Sequence, residues 1–486
     1  MKVMIAYPPL DGEKGIPQIS QNRQFQWFDK HSVIYPVVPA YAATLLKKEG
    51  FNVIWKDCIA EKQSYNEFII DFKNLKPDVV ALETKTPVIV QHWRIINDLK
   101  KINPKCKIVL FGDHVTALPK ESFKYSEVDY VLTGGDYDFL LLNLCNYLIK
   151  KTKLEPGIYY KKNKRLLNTG KFKLNHDLTA LPLIDRELTK WRLYAYDNGN
   201  FKFSPGAYTM VGRDCWWGKC KFCSWTTLYP CFRSMKPEQL IGEIEHLVNN
   251  FGIKEIMDDT GTFPVGNWLR KFCNLMIDKG LNKRVRISCN MRFGKLKLSD
   301  YKLMRRAGFR FILYGLESAK QSTLNKLDKG ILIEDIVKGC ELAKKADLNP
   351  HITCMIGYPW ESFNDALETV NLAKSLFKKG WVDTLQATIV IPYPGTKLYD
   401  LCKKNKWLLY DGTDGWPFYD MRIPIMKSPL DSLSIKKLTR ELYKSFFVPR
   451  YVFRKLFSIR SLNDLSFIIR GIKKVFKHLK DFGDGE

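Results

Sequence analysis

The stretch from residue 204 to residue 223, SPGAYTMVGRDCWWGKCKFC, decides how the second half of the chain is interpreted. Its first part is rich in small and apolar residues, and it predicts a buried strand over 207–211. Three cysteines, Cys215, Cys220 and Cys223, follow directly after that strand. Because ligands of parallel sheets gather beyond the carboxyl ends of the strands, this loop is the first candidate for a functional site.

The three thiols are spaced closely enough to hold one metal centre. Iron–sulfur clusters are bound by cysteine sulfur, and a cluster held by three cysteines keeps one iron open for another ligand. A structural zinc site normally has four protein ligands, and Cys231 or a histidine can supply the fourth here. The spacing alone therefore leaves both an iron–sulfur cluster and a zinc ion open.

The cysteine loop opens a region of regular alternation between strands and helices. From residue 204 to residue 401 the pattern predicts six strands, each followed by helical sequence, at 207–211, 255–258, 284–289, 311–315, 352–355 and 384–391. Six units are fewer than the eight that close a full barrel. We therefore predict a partial (β/α)6 TIM barrel.

The rest of the chain divides into three further segments. Residues 1–150 show short apolar strands between helical stretches, which predicts a doubly wound, Rossmann-like (flavodoxin-like) domain. Residues 151–203 lose this rhythm, show hairpin-like strands, prolines and turn residues, and are predicted to be a connector. Residues 402–486 are helical and basic. The fold class predicted for the whole chain is α/β.

Composition excludes several classes of protein. The chain has 486 residues, of which 45% are hydrophobic and 27% charged, so it is expected to form several folded domains and not a disordered or fibrous chain. No run approaches the roughly 18 apolar residues that cross a bilayer, and the first residues do not resemble a secretory signal. We expect a cytoplasmic protein whose twelve cysteines are not paired in disulfides.

The formal charge of +27 is concentrated in part at the end of the chain. Residues 450–480 contain nine Lys or Arg and one acidic residue, Asp464, with apolar residues at helical spacing. A basic amphipathic helix can lie on an anionic membrane, and it can equally pack its apolar side on the catalytic domain. Peripheral membrane contact through 450–480 stays open, and no motif indicates a nucleic acid partner.

Several segments, taken in order, resemble the radical SAM superfamily. They are the cysteine loop, MDDTGTF at 257–263, SCNMR at 288–292, YGLES at 314–318 and IPYPGT at 391–396. The resemblance is narrower to members with an N-terminal cobalamin-binding domain, and it extends from residue 1 to about residue 449. The family usually has three residues between its first two cysteines, whereas this chain has four.

The resemblance implies a set of cofactors and binding residues in the second domain. It implies that Cys215, Cys220 and Cys223 hold a [4Fe-4S] cluster, whose open iron binds S-adenosylmethionine (SAM). No catalytic residue is assigned beyond these ligands, and the electron comes from an external donor such as ferredoxin or flavodoxin. The residues implied to contact SAM are Asp258, Asp259, Asn290, Arg292, Glu317 and Ser318.

The same resemblance implies cobalamin in the first domain. The usual Asp-x-His-x-x-Gly signature, whose histidine binds cobalt, is absent from the sequence. We therefore interpret His114 as a residue of the pocket and not as a cobalt ligand. The residues implied to contact cobalamin are Pro9, Thr84, Gly112, His114, Gly134 and Gly135.

The implied activity is reductive cleavage of SAM to a 5′-deoxyadenosyl radical, followed by methylation of an unactivated carbon of a lipid-like or other small-molecule substrate. An alternative is a radical SAM reaction without methyl transfer, such as carbon–carbon bond formation, ring formation or oxidation of a lipid or pigment. A more distant alternative is a non-enzymatic module that binds zinc or RNA through its basic surface.

Overall fold

The computed structural model describes residues 1–10, 12, 15–19, 25–28, 33–196, 198–199 and 201–482. Its strands are β1 (Lys2–Tyr7), β2 (Ile16–Gln18), β3 (Gln26–Phe28), β4 (Asn52–Asp57), β5 (Val79–Glu83), β6 (Lys107–Phe111), β7 (Tyr130–Leu132), β8 (Ile158–Lys162), β9 (Arg165–Asn168), β10 (Gly206–Thr209), β11 (Gly212–Arg213), β12 (Arg233–Ser234), β13 (Glu255–Asp258), β14 (Arg286–Met291), β15 (Phe309–Glu317), β16 (Asn349–Ile356) and β17 (Thr384–Ile389).

Helices connect most of these strands. They are α1 (Val37–Lys48), α2 (Cys58–Glu61), α3 (Tyr65–Leu75), α4 (Ile89–Ile102), α5 (Asp113–Ala117), α6 (Glu121–Tyr125), α7 (Tyr137–Lys150), α8 (Arg192–Ala195), α9 (Trp225–Leu228), α10 (Pro237–Phe251), α11 (Asn267–Asp278), α12 (Leu281–Arg284), α13 (Leu298–Arg306), α14 (Gln321–Lys326), α15 (Ile333–Lys345), α16 (Phe363–Lys379), α17 (Lys397–Lys404), α18 (Ser432–Tyr443), α19 (Pro449–Leu456) and α20 (Leu462–Asp481).

The first sheet has the strand order β4-β1-β5-β6-β7-β8-β9. Its first five strands are parallel, and their order is that of the flavodoxin-like doubly wound fold. Strands such as β5 are buried along their whole length, because helices cover both faces of a parallel sheet. The predicted Rossmann-like class is therefore confirmed.

An antiparallel hairpin extends this sheet beyond the region predicted for it. β8 pairs with β7, and β9 pairs with β8. The hairpin lies in the segment predicted to be a connector with hairpin-like strands, and β9 is exposed along its whole length. The division of the chain at residues 150, 203 and 401 stays a prediction, although the sheet itself continues past residue 150.

The second sheet contains six parallel strands in the order β10-β13-β14-β15-β16-β17. Neighbours in the sheet are also neighbours in sequence order, as repeated strand–helix units require. This arrangement confirms the predicted partial barrel.

The C-terminal helices lie near the amino ends of these strands. The Tyr451 hydroxyl of α19 donates to the carbonyl oxygen of Asp383, just before β17. The Arg310 guanidinium, at the start of β15, lies 5.8 Å from the ring centre of Phe467 in α20. Among the described residues, no helix combines the length and apolar character that a bilayer crossing requires.

Buried ion pairs join β11 and β12, the short strands that flank the cysteine loop, to the first domain. Arg213, in the short strand before the cysteines, lies 2.7 Å from the Asp138 carboxylate of α7, and both side chains are almost fully buried. Asp136 accepts hydrogen bonds from Arg233 at 2.6 and 2.9 Å. The cysteine loop is thus attached to the first domain by charge pairs that solvent screens little.

Candidate functional site

A cavity of about 720 Å³ lies inside the second sheet, and Cys215, Cys220 and Cys223 line it. Alternate residues of β15 line the same cavity, namely Phe311, Leu313, Gly315 and Glu317. Since a strand rises about 3.3 Å per residue, these four positions extend over about 20 Å. The cavity therefore runs along the inside of the partial barrel, from the cysteine loop towards the amino ends of the strands.

The cysteine loop is fixed by contacts that accommodate its extra residue. Gly218 has a φ of +59°, a left-handed conformation that glycine adopts without strain. The Trp217 indole donates to the carbonyl oxygen of Asp328 at 2.7 Å. In the part of the chain that the structure describes, no three His, Cys, Asp or Glu side chains converge on a single-ion site.

The loop after β13 is attached to the cysteine loop. The backbone N–H of Gly261 donates to the Asp214 carboxylate at 2.5 Å. The Cys215 sulfur lies 3.1 Å from the Thr262 hydroxyl. These contacts set the position of Cys215 relative to the carboxyl end of β13.

Two cations, Arg292 and Lys329, lie beside Cys220. The Arg292 guanidinium lies 4.0 Å from the ring centre of Trp217, and its Nε has no hydrogen-bond partner among the described residues. Lys329 lies 2.6 Å from the Glu317 carboxylate. Burial disfavours the charged form of Lys329, but the negative charges of Glu317 and Cys220 outweigh burial and raise its pKa.

A backbone irregularity directs Glu317 into the cavity. The register between β15 and β16 shifts between Gly315 and Glu317, and Glu317 has a φ of +65°. Bulges re-aim side chains next to functional sites, and a non-glycine residue with positive φ carries strain that the surrounding structure must support. Glu317 is therefore held in an unfavourable conformation that places its carboxylate beside Lys329.

Four of the six residues implied to contact SAM line the cavity, namely Asp259, Asn290, Arg292 and Glu317. The Asn290 amide lies 3.3 Å from the Asp259 carboxylate, so these two side chains meet across neighbouring strands.

The other two of the six, Asp258 and Ser318, point away from the cavity. The Asp258 carboxylate accepts from the Thr209 hydroxyl at 2.8 Å and from the Val211 N–H at 3.0 Å. The Ser318 hydroxyl donates to Glu361 at 2.6 Å. Successive residues at a strand end face opposite sides of the sheet. Asp258 and Ser318 therefore face away from the cavity, where they bond to neighbouring elements.

The sequence reasoning missed three residues of this site. Asp214 and Thr262 lie within the cysteine loop and the MDDTGTF segment already quoted, so their membership of those segments was an available signal. Lys329 follows α14 and lies in no recognisable motif, and only the tertiary structure brings it to the cysteines.

The residues predicted to contact cobalamin lie away from this cavity. His114 is bonded to Thr86 through Nδ1 at 3.1 Å and to Glu121 through Nε2 at 2.9 Å. At Gly134 and Gly135 an added Cβ would overlap the rings of Phe172 and Tyr229, so both glycines permit close contact with other protein elements.

The remaining three predicted contacts lie at the carboxyl ends of the first sheet. The Thr84 hydroxyl is hydrogen-bonded to Nδ1 of His92 at 2.7 Å. The backbone carbonyl of Thr84 occupies the space that a Cβ on Gly112 would need. Pro9 is half-buried in the loop after β1. Five of the six residues, all except Pro9, are thus in close contact with other residues of this chain. The assignment of all six residues to cobalamin stays a prediction.

Two family models match the chain. The model of the radical SAM superfamily matches residues 209–373, and the model of the B12 binding domain matches residues 31–139. The first match covers the cysteine loop and most of the second sheet. The second covers most of the first sheet.

Two curated relatives match most of this chain. An uncharacterized methyltransferase of Pyrococcus horikoshii is 27% identical over 91% of this chain and 94% of its own. The anaerobic magnesium-protoporphyrin IX monomethyl ester cyclase of Cereibacter sphaeroides is 24% identical over 81% of this chain and 63% of its own.

Two solved structures share the fold. The cobalamin-dependent SAM radical enzyme OxsB, with aqua-cobalamin and SAM bound, is 13% identical, has a TM-score of 0.71, and covers 99% of this chain and 72% of its own. The radical SAM methyltransferase TsrM from Kitasatospora setae, with cobalamin and a [4Fe-4S] cluster bound, is 13% identical, has a TM-score of 0.65, and covers 83% of this chain and 75% of its own.

The two family matches determine the cofactors. A radical SAM domain implies a [4Fe-4S] cluster and SAM, and a B12 binding domain implies cobalamin. The partly exposed cysteines and the unpartnered Arg292 Nε fit a cluster and an anionic ligand beside it. The residues predicted to contact cobalamin show no comparable fit. The chain therefore contains a B12-binding domain followed by a radical SAM domain.

Proposed function

We propose that this enzyme cleaves SAM at the cysteine end of the cavity and methylates an unactivated carbon of a small-molecule or lipid-like substrate bound farther along it. One observation carries the proposal: a single cavity contains the three thiols, four of the residues expected to contact SAM, and apolar walls beyond them. The family matches favour this enzymatic function over a zinc- or RNA-binding module.

The three cysteines are proposed as the cluster ligands. When bound, the cluster supplies the electron that cleaves SAM to a 5′-deoxyadenosyl radical, and an external donor such as ferredoxin or flavodoxin renews it. Burial raises the pKa of the Cys220 thiol, and the positive charges of Lys329 and Arg292 oppose that rise.

The polar residues at the same end are proposed to orient SAM. Asp259 and Glu317 present carboxylates that can accept from an amino group or ribose hydroxyls, and the free Nε of Arg292 can donate to a carboxylate. Phe222 lines this end of the cavity, and the indoles of Trp216 and Trp217 flank Arg292. These rings exclude water from a reactive radical.

Methyl transfer is supported by relatives whose names include methyltransferases. Radical chemistry without methyl transfer is the second candidate, because another relative is named a cyclase. Both candidates use the same cysteine site, and they differ in the products that SAM yields.

We expect the anaerobically purified holoenzyme to form 5′-deoxyadenosine from SAM when a strong reductant is added. A methyltransferase also forms S-adenosylhomocysteine, because one SAM donates its methyl group, so both products should appear with a methylated substrate. Mass spectrometry of extracts incubated with methyl-labelled SAM measures all three. 5′-Deoxyadenosine with an altered but unlabelled product would favour the second candidate, and absence of 5′-deoxyadenosine would contradict the proposal as a whole.

Peripheral membrane contact is proposed for the C-terminal patch, which we define as the exposed apolar residues Phe447, Phe453, Leu456, Phe457 and Phe476. Phe457 is 84% exposed and Phe453 61%, which is unusual for large apolar side chains of a monomer. Lys444, Arg450 and Lys473 are also exposed on these helices. An apolar patch flanked by cations is suited to an anionic lipid surface.

The C-terminal patch is expected to bind vesicles that contain phosphatidylglycerol and to bind phosphatidylcholine vesicles weakly. Phe457→Ser should reduce binding to the anionic vesicles roughly tenfold, because one apolar side chain no longer inserts. Co-sedimentation measures the bound fraction. Leu409→Ser, at an exposed leucine outside the patch, is the matched control. Equal binding by the wild type and Phe457→Ser would exclude this surface as the contact.

A further inference from the structure

Four lysines lie around the outer side of the cysteine loop. Lys219 and Lys221 stand on either side of Cys220 in the sequence. Lys326 is in the last turn of α14, which follows β15, and Lys397 is the first residue of α17, which follows β17. Because the carboxyl ends of parallel strands share one edge of a sheet, these helices begin at the edge that carries the cysteines. We call these four lysines the lysine rim.

Backbone hydrogen bonds fix the position of the rim. The N–H of Lys221 donates to the carbonyl oxygen of Leu327 at 2.9 Å, and the N–H of Leu398 donates to the carbonyl oxygen of Lys221 at 2.8 Å. Leu327 directly follows Lys326, and Leu398 directly follows Lys397. Both helices are therefore attached to the cysteine loop itself, and the four lysines belong to one continuous surface.

The rim reaches solvent and carries a net positive charge. Three of its lysines are exposed, and the side chain of the fourth, Lys221, is 35% exposed. Among the described residues, Lys221 is the one rim lysine with an ion pair, in which it lies 4.0 Å from Asp328. Asp400 is a second acidic residue close by, in the first turn of α17. Two carboxylates thus oppose four ammonium groups.

Two indole rings lie beside the rim lysines. The Lys219 ammonium is 5.1 Å from the ring centre of Trp217, and the Lys326 ammonium is 5.3 Å from the ring centre of Trp360. Both tryptophans are partly exposed. Tryptophan is enriched at protein interfaces, where aromatic rings supply contact area and the surrounding charges select the partner. The rim therefore has the composition of a surface that binds another protein.

The position of the rim indicates what kind of protein it binds. The rim is the outer surface of the segment that holds Cys220, and the proposed SAM cleavage requires an electron from outside the chain. Electron transfer slows steeply with distance, so a donor must approach this loop closely. Redox proteins meet their partners through small, weak interfaces, and complementary charge raises the rate of such encounters. A positive rim selects a donor with an acidic surface.

We propose that the lysine rim binds the electron donor of this enzyme, an acidic one-electron carrier protein, and places its redox centre next to the cysteine loop. In each transfer the donor is oxidised by one electron and the [4Fe-4S] cluster is reduced by one, and no atom passes between the two proteins. The inference rests on the proposed function for the need of an electron. It adds the surface that receives the donor and the charge that the donor must carry.

Binding of carrier proteins to the anaerobically purified holoenzyme tests this surface without the reaction. Flavodoxin and a [4Fe-4S] ferredoxin, both acidic proteins, are the probes, and isothermal titration calorimetry measures their affinities. At least one carrier should bind, and more weakly when the ionic strength rises from about 0.01 M to about 0.15 M, because the Debye length shortens from about 30 Å to about 8 Å. Lys326→Glu/Lys397→Glu should weaken binding roughly tenfold or more at low salt, since two favourable charges become repulsive.

The matched control is Lys254→Glu/Lys283→Glu. Lys254 directly precedes β13, and Lys283 lies in α12 before β14, so both are at the opposite edge of the sheet, and both are exposed. This variant changes the net charge of the protein by the same amount as the rim variant. It should keep most of the wild-type affinity, which separates local docking from the general attraction of a basic protein for an acidic one.

A comparison of two reductants separates docking from catalysis. With titanium(III) citrate, a small chemical reductant, Lys326→Glu/Lys397→Glu should form 5′-deoxyadenosine at the wild-type rate. With a limiting concentration of the carrier that binds, kept reduced by NADPH and its reductase, the same variant should be roughly tenfold slower, because fewer encounters are productive.

Equal carrier affinities of the wild type and the rim variant would overturn the proposal, as would equal losses in the two double variants or no binding of either carrier at low salt. Tighter binding of an oligouridylate than of either carrier, lost in the rim variant, would assign the rim to nucleic acid instead. The calorimetry does not use SAM. If a carrier binds at the rim and the wild type forms no 5′-deoxyadenosine with titanium(III) citrate, the failure lies in the proposed SAM cleavage and not in the docking surface.

Discussion

Cys220→Ala is expected to reduce 5′-deoxyadenosine formation to background and to remove most of the bound iron. Cys220 lies between the other two cysteines in the loop, and it faces the cations Arg292 and Lys329. With two thiolates left, a proposed three-cysteine cluster loses one of its protein ligands, and the reducing centre that cleaves SAM is not retained. Iron analysis and anaerobic product quantification measure the two effects together.

Cys231→Ala is the matched control for this variant. Cys231 lies on the same segment, is exposed, and does not line the cavity. We expect it to keep both iron and activity, although it is the residue that can supply a fourth ligand to a zinc site. Wild-type activity in Cys220→Ala, or loss of iron in Cys231→Ala, would contradict the proposed ligand set.

Arg213→Met is expected to destabilise the protein by about 3–5 kcal/mol, because it leaves the buried Asp138 carboxylate without its partner. The two side chains are 2% and 0% exposed, so solvent does not replace the lost contact. Chemical denaturation measures the change in the free energy of unfolding. Since Arg213 precedes Asp214 and Cys215, iron content is expected to fall as well.

Two variants show whether the effect comes from the buried pair. Arg305→Met breaks a surface pair with Asp347 and should cost about 1 kcal/mol or less. The double variant Arg213→Met/Asp138→Leu removes both charges and should recover part of the lost stability, because an apolar pair of similar size has no unpaired charge. A cost for Arg213→Met as small as that for Arg305→Met would show that this pair contributes little.

Local pattern predicted the two parallel sheets and the location of the cysteine loop. The strand–helix alternation in both domains follows from apolar runs whose periodicity depends on neighbours in sequence. Hairpin-like strands were expected after residue 150, but the place of β8–β9 in the first sheet was not, because it depends on pairing with β7.

The roles expected at strand ends were harder to predict. Asp258 and Asp259 are adjacent in the sequence, yet only Asp259 lines the cavity. The Asp258 carboxylate faces away from the cavity and accepts a hydrogen bond from the Val211 N–H. The glycines at 134 and 135 suggested close approach to a nucleotide, whereas in the structure they approach Phe172 and Tyr229. A glycine indicates that its backbone approaches another group closely, but the sequence does not identify that group as a ligand or as protein.

By itself, the sequence determined the α/β class, the three-cysteine motif and the basic character of the C-terminal helices, because these properties depend on residue type and short-range spacing. Only the tertiary structure decided that Lys329 meets the cysteines, that Arg213 pairs with Asp138, and that α20 brings Arg470 to the end of the same cavity. Those contacts join residues far apart in the chain. Their geometry follows from how whole elements pack, which no local pattern encodes.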